Sequence, residues 1–213
     1  MKLSKEFWDT LRPMFNGSFS DGQFDGVQRI TTALSRSGLP ATQAAYCLAT
    51  AHHETGRRMQ PVREGFAKTD AGAIKAVTSL FNRGIIRVNY ALPDPITGKS
   101  YYGRGLIQIT WKDNYLKAQN KFNGVDFVNN PDMVMEWQYT IPLLIRGMEE
   151  GMYRKSAKRP ATLKRYIRPE FQNYTTYLAQ CIKARNIVNG DVRKNGQRIA
   201  EYSAVYYNAL MEA

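Results

Sequence analysis

Apolar positions recur along most of this chain every three or four residues, the period that lines them up on one stripe of an α-helix. Phe24, Val27, Ile30 and Leu34 form one stripe, which stops at Ser37-Gly38, where glycine can take the left-handed conformation that closes a helix. A second helix is predicted to open near Pro40 and to run through Ala44, Leu48 and Ala51 to Gly56, with proline near its start and glycine just past its end. From Gln60 to Asp94 the pattern is less regular, with one helical stretch at Ala71 to Phe81, and this region is expected to be a mobile or substrate-facing lobe. Trp111, Tyr115, Ala118 and Phe122 form a further stripe. Val134, Trp137, Ile141, Leu144, Ile145 and Met148 form another, expected to kink at Pro142. Phe171 to Val188 reads as one long helix ended by Asn189-Gly190, and Ile199, Tyr202, Tyr206 and Leu210 as a terminal helix. These stripes are expected to be core.

One segment has a different period. After a turn signal at Thr97-Gly98, the run from Gly105 to Thr110 alternates, which predicts Leu106, Gln108 and Thr110 on one face of a strand and Ile107 and Ile109 on the other. The predicted fold is therefore mainly α, with one small β-hairpin.

Composition narrows the picture. With 213 residues and 43% hydrophobic content the chain can bury one substantial core, and no repeat or long linker divides it, so residues 1–213 are read as a single domain, with or without two lobes. No apolar run approaches the roughly 18 residues of a membrane span, and Met1 to Pro13 is charged and amphipathic, unlike a signal peptide. The expectation is a soluble monomer left in the cytoplasm, without stable membrane insertion. Cys47 and Cys181 fit no metal-ligand spacing and are expected to be buried free thiols. The net charge of +12 implies a polyanionic partner: nucleic acid, anionic lipid or bacterial cell wall. Its densest stretch is Arg154, Lys155, Lys158, Arg159, Lys164, Arg165 and Arg168. No Walker loop, zinc-finger spacing or ribonucleoprotein aromatic motif accompanies it, which argues against nucleic acid.

Among the side chains able to do chemistry, Glu54 falls in the last turn of the second predicted helix. There the backbone carbonyls disfavour a carboxylate, and neighbouring Leu48 and Ala51 would partly desolvate it. Both effects favour a protonated acid, as glycosidic bond cleavage requires, usually with a second carboxylate across the bond. Glu64, ten residues on in Gln60-Pro-Val-Arg-Glu-Gly65, is the candidate for that second group. His52 and His53 adjoin Glu54, but position 57, where the zinc-protease motif needs its second histidine, is Arg. Adjacent histidines also diverge by about 100° on a helix, so no metal site and no cofactor is expected. A supporting hydrogen bond is the reading for His53. Neither histidine has a strained-turn nucleophile to serve.

Four motifs occur in order: Ala51-His-His-Glu-Thr-Gly56, Tyr101-Tyr-Gly-Arg-Gly-Leu-Ile-Gln-Ile-Thr110, Asn130-Pro-Asp132, and Ala184-Arg-Asn-Ile-Val-Asn-Gly190. In this spacing, over about residues 40–210, the chain resembles glycoside hydrolase family 19, which holds chitinases and many bacteriophage endolysins. The short Glu54–Glu64 spacing is closer to the endolysin branch. The resemblance implies a lysozyme-like, two-lobed helical fold, Glu54 as general acid and Glu64 as the base that activates water. It further implies that Tyr102, Gln108, Thr110 and Asn189 meet substrate and that Arg198 supports the carboxylates. With the charge and the N-terminal sequence, the expectation is an endolysin that hydrolyses bacterial peptidoglycan during host lysis. The alternatives are a chitinase and a non-catalytic protein binding wall or nucleic acid.

Overall fold

The computed structural model describes residues 2–153 and 159–213. Along the chain run α1 (Lys5–Leu11), α2 (Asp21–Ser35), α3 (Ala41–Glu54), the two-residue strand β1 (Val62–Arg63), α4 (Asp70–Asn82) and β2 (Arg104–Gly105). They are followed by α5 (Lys112–Lys121), α6 (Trp137–Glu150), α7 (Leu163–Tyr166), α8 (Tyr174–Ala184) and α9 (Gln197–Met211). The mainly helical reading holds. Of the basic stretch, Arg154, Lys155 and Lys158 lie outside the described residues. No described helix is long and apolar enough to cross a membrane.

Local sequence sets the helix starts. Ser4 accepts the Phe7 amide at the head of α1, and Ser20 and Gln23 close a reciprocal capping box on α2. Thr69 caps α4, and Asn173 accepts the Thr176 amide at α8. That last cap explains why the predicted helix from Phe171 begins only at Tyr174; it also ends earlier than expected, tightening to a 3₁₀ turn at Arg185–Ile187.

The chain divides into two compact units, residues 1–60 with 144–213, and residues 61–143. In the first, α9 is the centre of packing and receives α3, α8 and α1. Helix α3 is buried at every position from Thr42 to His52, the signature of a helix enclosed on all sides. Its polar side chains are satisfied internally: Thr42 and Gln43 donate to the carbonyls of Arg168 and Ile167, at 2.8 and 2.9 Å. Cys47 and Cys181 are buried and not joined to each other.

The second unit has less regular structure and a small core of Ala73, Val77, Ala91 and Tyr102. Strand β2 pairs antiparallel with β1, which lies about 40 residues earlier, and Arg104 also bridges Ile109 across a tight reversal. The small hairpin is thus present, but the predicted alternation is not: Gln108 sits at φ +52°, and Leu106, Ile107 and Ile109 are all buried. A left-handed residue inside a tight turn resets which way its neighbours point. Trp111, expected in the core stripe of α5, is instead 48% exposed.

Candidate active site

Glu54 is the last residue of α3, where the helix emerges from the packed interior. Burial raises its carboxyl above the ordinary glutamate value, with the nearby Arg185 guanidinium opposing the shift. Arg185 Nη1 donates to Glu54 Oε1, and its Nε donates to Asp191 Oδ1 at 2.6 Å. Asn195 in turn donates to Asp191. The guanidinium is thus held from both sides while it orients Glu54, and Asp191, paired in this way, is held below the ordinary aspartate value.

Arg185 belongs to the Ala184-to-Gly190 motif, and it, not Arg198, is the arginine bonded to the carboxylate. Arg198 lies exposed at the start of α9, and Asn189 is also exposed, its amide donating to the Arg185 carbonyl at 3.0 Å. Sequence offered a signal for Arg185. It follows Tyr177 and Cys181 at four-residue intervals, so a cation falls on a buried face and needs a partner.

The two adjacent histidines diverge as expected. His52 is buried, edge-on to Phe15, with Nδ1 2.9 Å from the Tyr206 hydroxyl. Burial pushes its pKa down to about 3. His53 is half-buried and pushed down to about 4, by burial first and then by Arg185. Both rings are neutral at ordinary pH. Among the described residues no three His, Cys, Asp or Glu side chains are grouped as metal ligands.

Glu64 is built differently, in a 3₁₀ turn just after β1. Its Oε1 accepts from the Tyr90 hydroxyl, its Oε2 from the Gly103 amide at 2.8 Å, and its own amide donates to the Gly103 carbonyl at 2.7 Å. Both carboxylate oxygens act as acceptors. Gly103 also shows what gathers there: a β-carbon on it would lie 2.8 Å from Gln108 Oε1, 3.3 Å from Glu64 Oε2 and 3.3 Å from Thr110 Oγ1. Three of the residues singled out from sequence therefore converge on one glycine. They are brought together by the reversal at 104–109 and not by strand alternation.

The orientation of that cluster is fixed by hydrogen bonds. The Gln108 amide nitrogen donates to the Val62 and Gly105 carbonyls at 2.9 and 3.1 Å, which leaves its oxygen directed at the glycine. Thr110 donates to the Gln108 carbonyl at 2.8 Å, so its oxygen keeps lone pairs for another donor. Exposed Trp111 packs beside Tyr90, ring centroids 5.2 Å apart, and so flanks the phenol that holds Glu64.

Behind the cluster lies a residue not singled out in the sequence. Arg104 is completely buried, its guanidinium 3.6 Å from the centre of the Tyr102 ring. It donates to Asp132 at 2.7 Å, Asp70 at 3.2 Å, the Ser100 carbonyl at 2.8 Å and the Tyr115 hydroxyl at 3.1 Å. Arg63 joins the same two aspartates from β1. Tyr102, expected at the substrate, is internal here, and its hydroxyl donates to Asp70. The Asn130-Pro-Asp132 motif thus supplies an anchor for Arg104. Arg104 is the only charge between Ser100 and Trp111, a pattern that marks a buried cation.

One carboxyl raised by burial and another set among a glutamine oxygen and a threonine hydroxyl are group types that glycosidic hydrolysis uses. Residues 42–141 match the profile of glycoside hydrolase family 19, chitinase class I. Over 134 residues it is 32% identical to Endochitinase At2g43620 of Arabidopsis thaliana, covering 59% of this chain and 44% of that protein. It is 42% identical over 88 residues to Chitinase 11 of Oryza sativa subsp. japonica, covering 40% and 32% of the two chains. It is also 44% identical over 50 residues to Inactive chitinase-like protein 1 of Hevea brasiliensis, covering 22% and 16%. In each case the chain spans less than half of the relative's length. No solved structure matches it. The matched stretch includes Glu54 and the whole Glu64 cluster but stops before Arg185 and Asp191.

Proposed function

We propose that this protein is a glycoside hydrolase that cuts the glycan backbone of bacterial peptidoglycan, with Glu54 as general acid and Glu64 as general base. The observation that carries the reading is the Glu54 carboxyl, raised by burial and oriented by Arg185. Such a group stays protonated where an ordinary glutamate has ionised, and so can donate to a departing glycosidic oxygen. Glu64 would take a proton from a water that also donates to Thr110 or Gln108, whose oxygens face the same glycine. Water attacking directly as the bond breaks gives a single displacement with inversion.

The net charge of +12 favours peptidoglycan, whose stem peptides and attached polymers carry carboxylates and phosphates. The second reading is chitin, favoured by the names of the plant relatives. The similarity to a relative described as inactive makes the chemistry itself the first thing to test. Purified sacculi and chitin are incubated with the wild type and with Glu54→Gln, and soluble fragments are read by mass spectrometry. New reducing-end sugars from sacculi that vanish in the variant support the proposal. Release from chitin alone supports the second reading, whereas peptide-cleaved products or equal release by both proteins overturn both.

A further inference from the structure

The N-terminal segment, outside the matched stretch of the family, builds a surface cavity of about 410 Å³. Its wall is aromatic. Trp8 of α1 stacks on Phe24 of α2, with centroids 4.2 Å apart and planes at 20°, and meets Phe19 edge-on at 5.2 Å. Phe24 is 47% exposed even though it is a large apolar ring on a capped helix, so one part of it remains open to solvent. Around the wall stand Lys5, Asp9, Arg12 and Ser18.

The chemistry of this rim selects among occupants. Lys5 and Arg12 both bond to Asp9, the second at 2.9 Å, so this carboxylate draws the two cations together at the margin and offsets one of their two charges. The rim thus sets polar donors and acceptors beside a flat apolar surface, in a cavity within the size range of small-ligand sites. A pyranose ring presents that same combination, with C–H bonds on one face and hydroxyl groups around its edge. An extended protein surface would instead call for a broader apolar area without a charged margin.

We propose that this cavity is an accessory binding site for one or two sugars of a linear N-acetylhexosamine glycan, with Phe24 and Trp8 as the stacking wall. The site deepens the glycosidase reading and rests on it for the choice of glycan. Its use would be to retain an insoluble polymer while catalysis proceeds at Glu54 and Glu64. Chitin and peptidoglycan share this backbone chemistry.

The test uses the full chain carrying Glu54→Gln, titrated with N-acetylglucosamine tetramer while the indole N–H resonances of Trp8, Trp111 and Trp137 are followed by NMR. A saturable shift at Trp8 is expected. Phe24→Leu, which keeps apolar cover over Trp8 but removes the ring, should weaken the Trp8 response about fivefold or more, whereas Phe24→Tyr should retain it. Melting curves check that both variants fold. Co-sedimentation with chitin beads and with stripped sacculi, with and without Phe24→Leu, names the polymer whose retention depends on the ring. A silent Trp8, or equal binding by Phe24→Leu and its parent, overturns the site. If Trp8 responds but the wild type releases no reducing ends, the accessory site stands and the catalytic reading falls. If the wild type cleaves glycan while Trp8 stays silent, the catalytic reading stands and the accessory site falls.

Discussion

In residues 1–60 and 144–213, a carboxyl group sits at the end of a helix that is buried from Thr42 to His52, and burial moves its protonation upward against the opposing Arg185. In residues 61–143, the other candidate carboxylate sits in a short turn, held by a phenol and a backbone amide over a fully buried arginine. The first unit shapes chemistry by excluding water, which needs a large packed core. The second shapes it with directed hydrogen bonds, which can position a group where little regular structure is present.

The largest expected effect comes from the carboxylates. Glu54→Gln and Glu64→Gln should each lower kcat by about 10³-fold on the preferred glycan while leaving the circular dichroism spectrum unchanged. Next, Arg104→Met should destabilise the second unit by about 3 kcal/mol, the low end for a broken buried pair because Asp70 and Asp132 remain half-exposed. Hydrogen exchange that accelerates in residues 61–143 but not in the α3–α9 core would confirm that the arginine serves one unit.

Arg185→Met separates the two units further. Removing the cation withdraws the influence that lowers the Glu54 pKa, so the acid stays protonated to higher pH and the alkaline limb of kcat/KM should move upward. An unchanged limb would remove Glu54 as the group being titrated.

Acid should also distinguish the units, since both histidines lie in the first. With folded values of about 3 for His52 and 4 for His53, below the ordinary 6.5, the native state binds fewer protons than the unfolded chain across that window. Stability from these groups is present above pH 6.5 and is lost as pH falls toward 3. The depressed carboxylates of the second unit, Asp70 and Asp94, lose their contribution only below about pH 4. His52→Phe should therefore lower the acid-unfolding midpoint of the α3–α9 core, read by pH-resolved hydrogen exchange. The smallest effect is expected at Gly103→Ala, where the new methyl presses on Gln108 and Glu64. It should reduce kcat about tenfold with under about 1 kcal/mol of stability lost.

Much of the helical frame was legible in sequence because stripes, caps and glycine stops act locally. Gly38, at φ +77° just past α2 where the stop was expected, needs only its neighbours. Glu54 was legible for the same reason, since a helix end and its adjacent apolar residues already predict an elevated acid. The alternation from Leu106 to Thr110 misled, because a period-two pattern does not reveal that Gln108 turns left-handed and folds the segment onto Arg104. Trp111 misled likewise: its helical spacing with Tyr115 gave no sign that it stands exposed ahead of α5.

What sequence by itself determined was the helix set, the two candidate carboxylates and the likeness to a hydrolase family, all of which depend on residue type and short spacing. Only tertiary structure decided that Arg185 and not Arg198 bonds Glu54, and that Asp132 braces Arg104. It also decided that Glu64, Gln108 and Thr110 meet at Gly103. The two ion pairs join residues 131 and 28 positions apart, and no local pattern encodes which distant partner satisfies a buried charge.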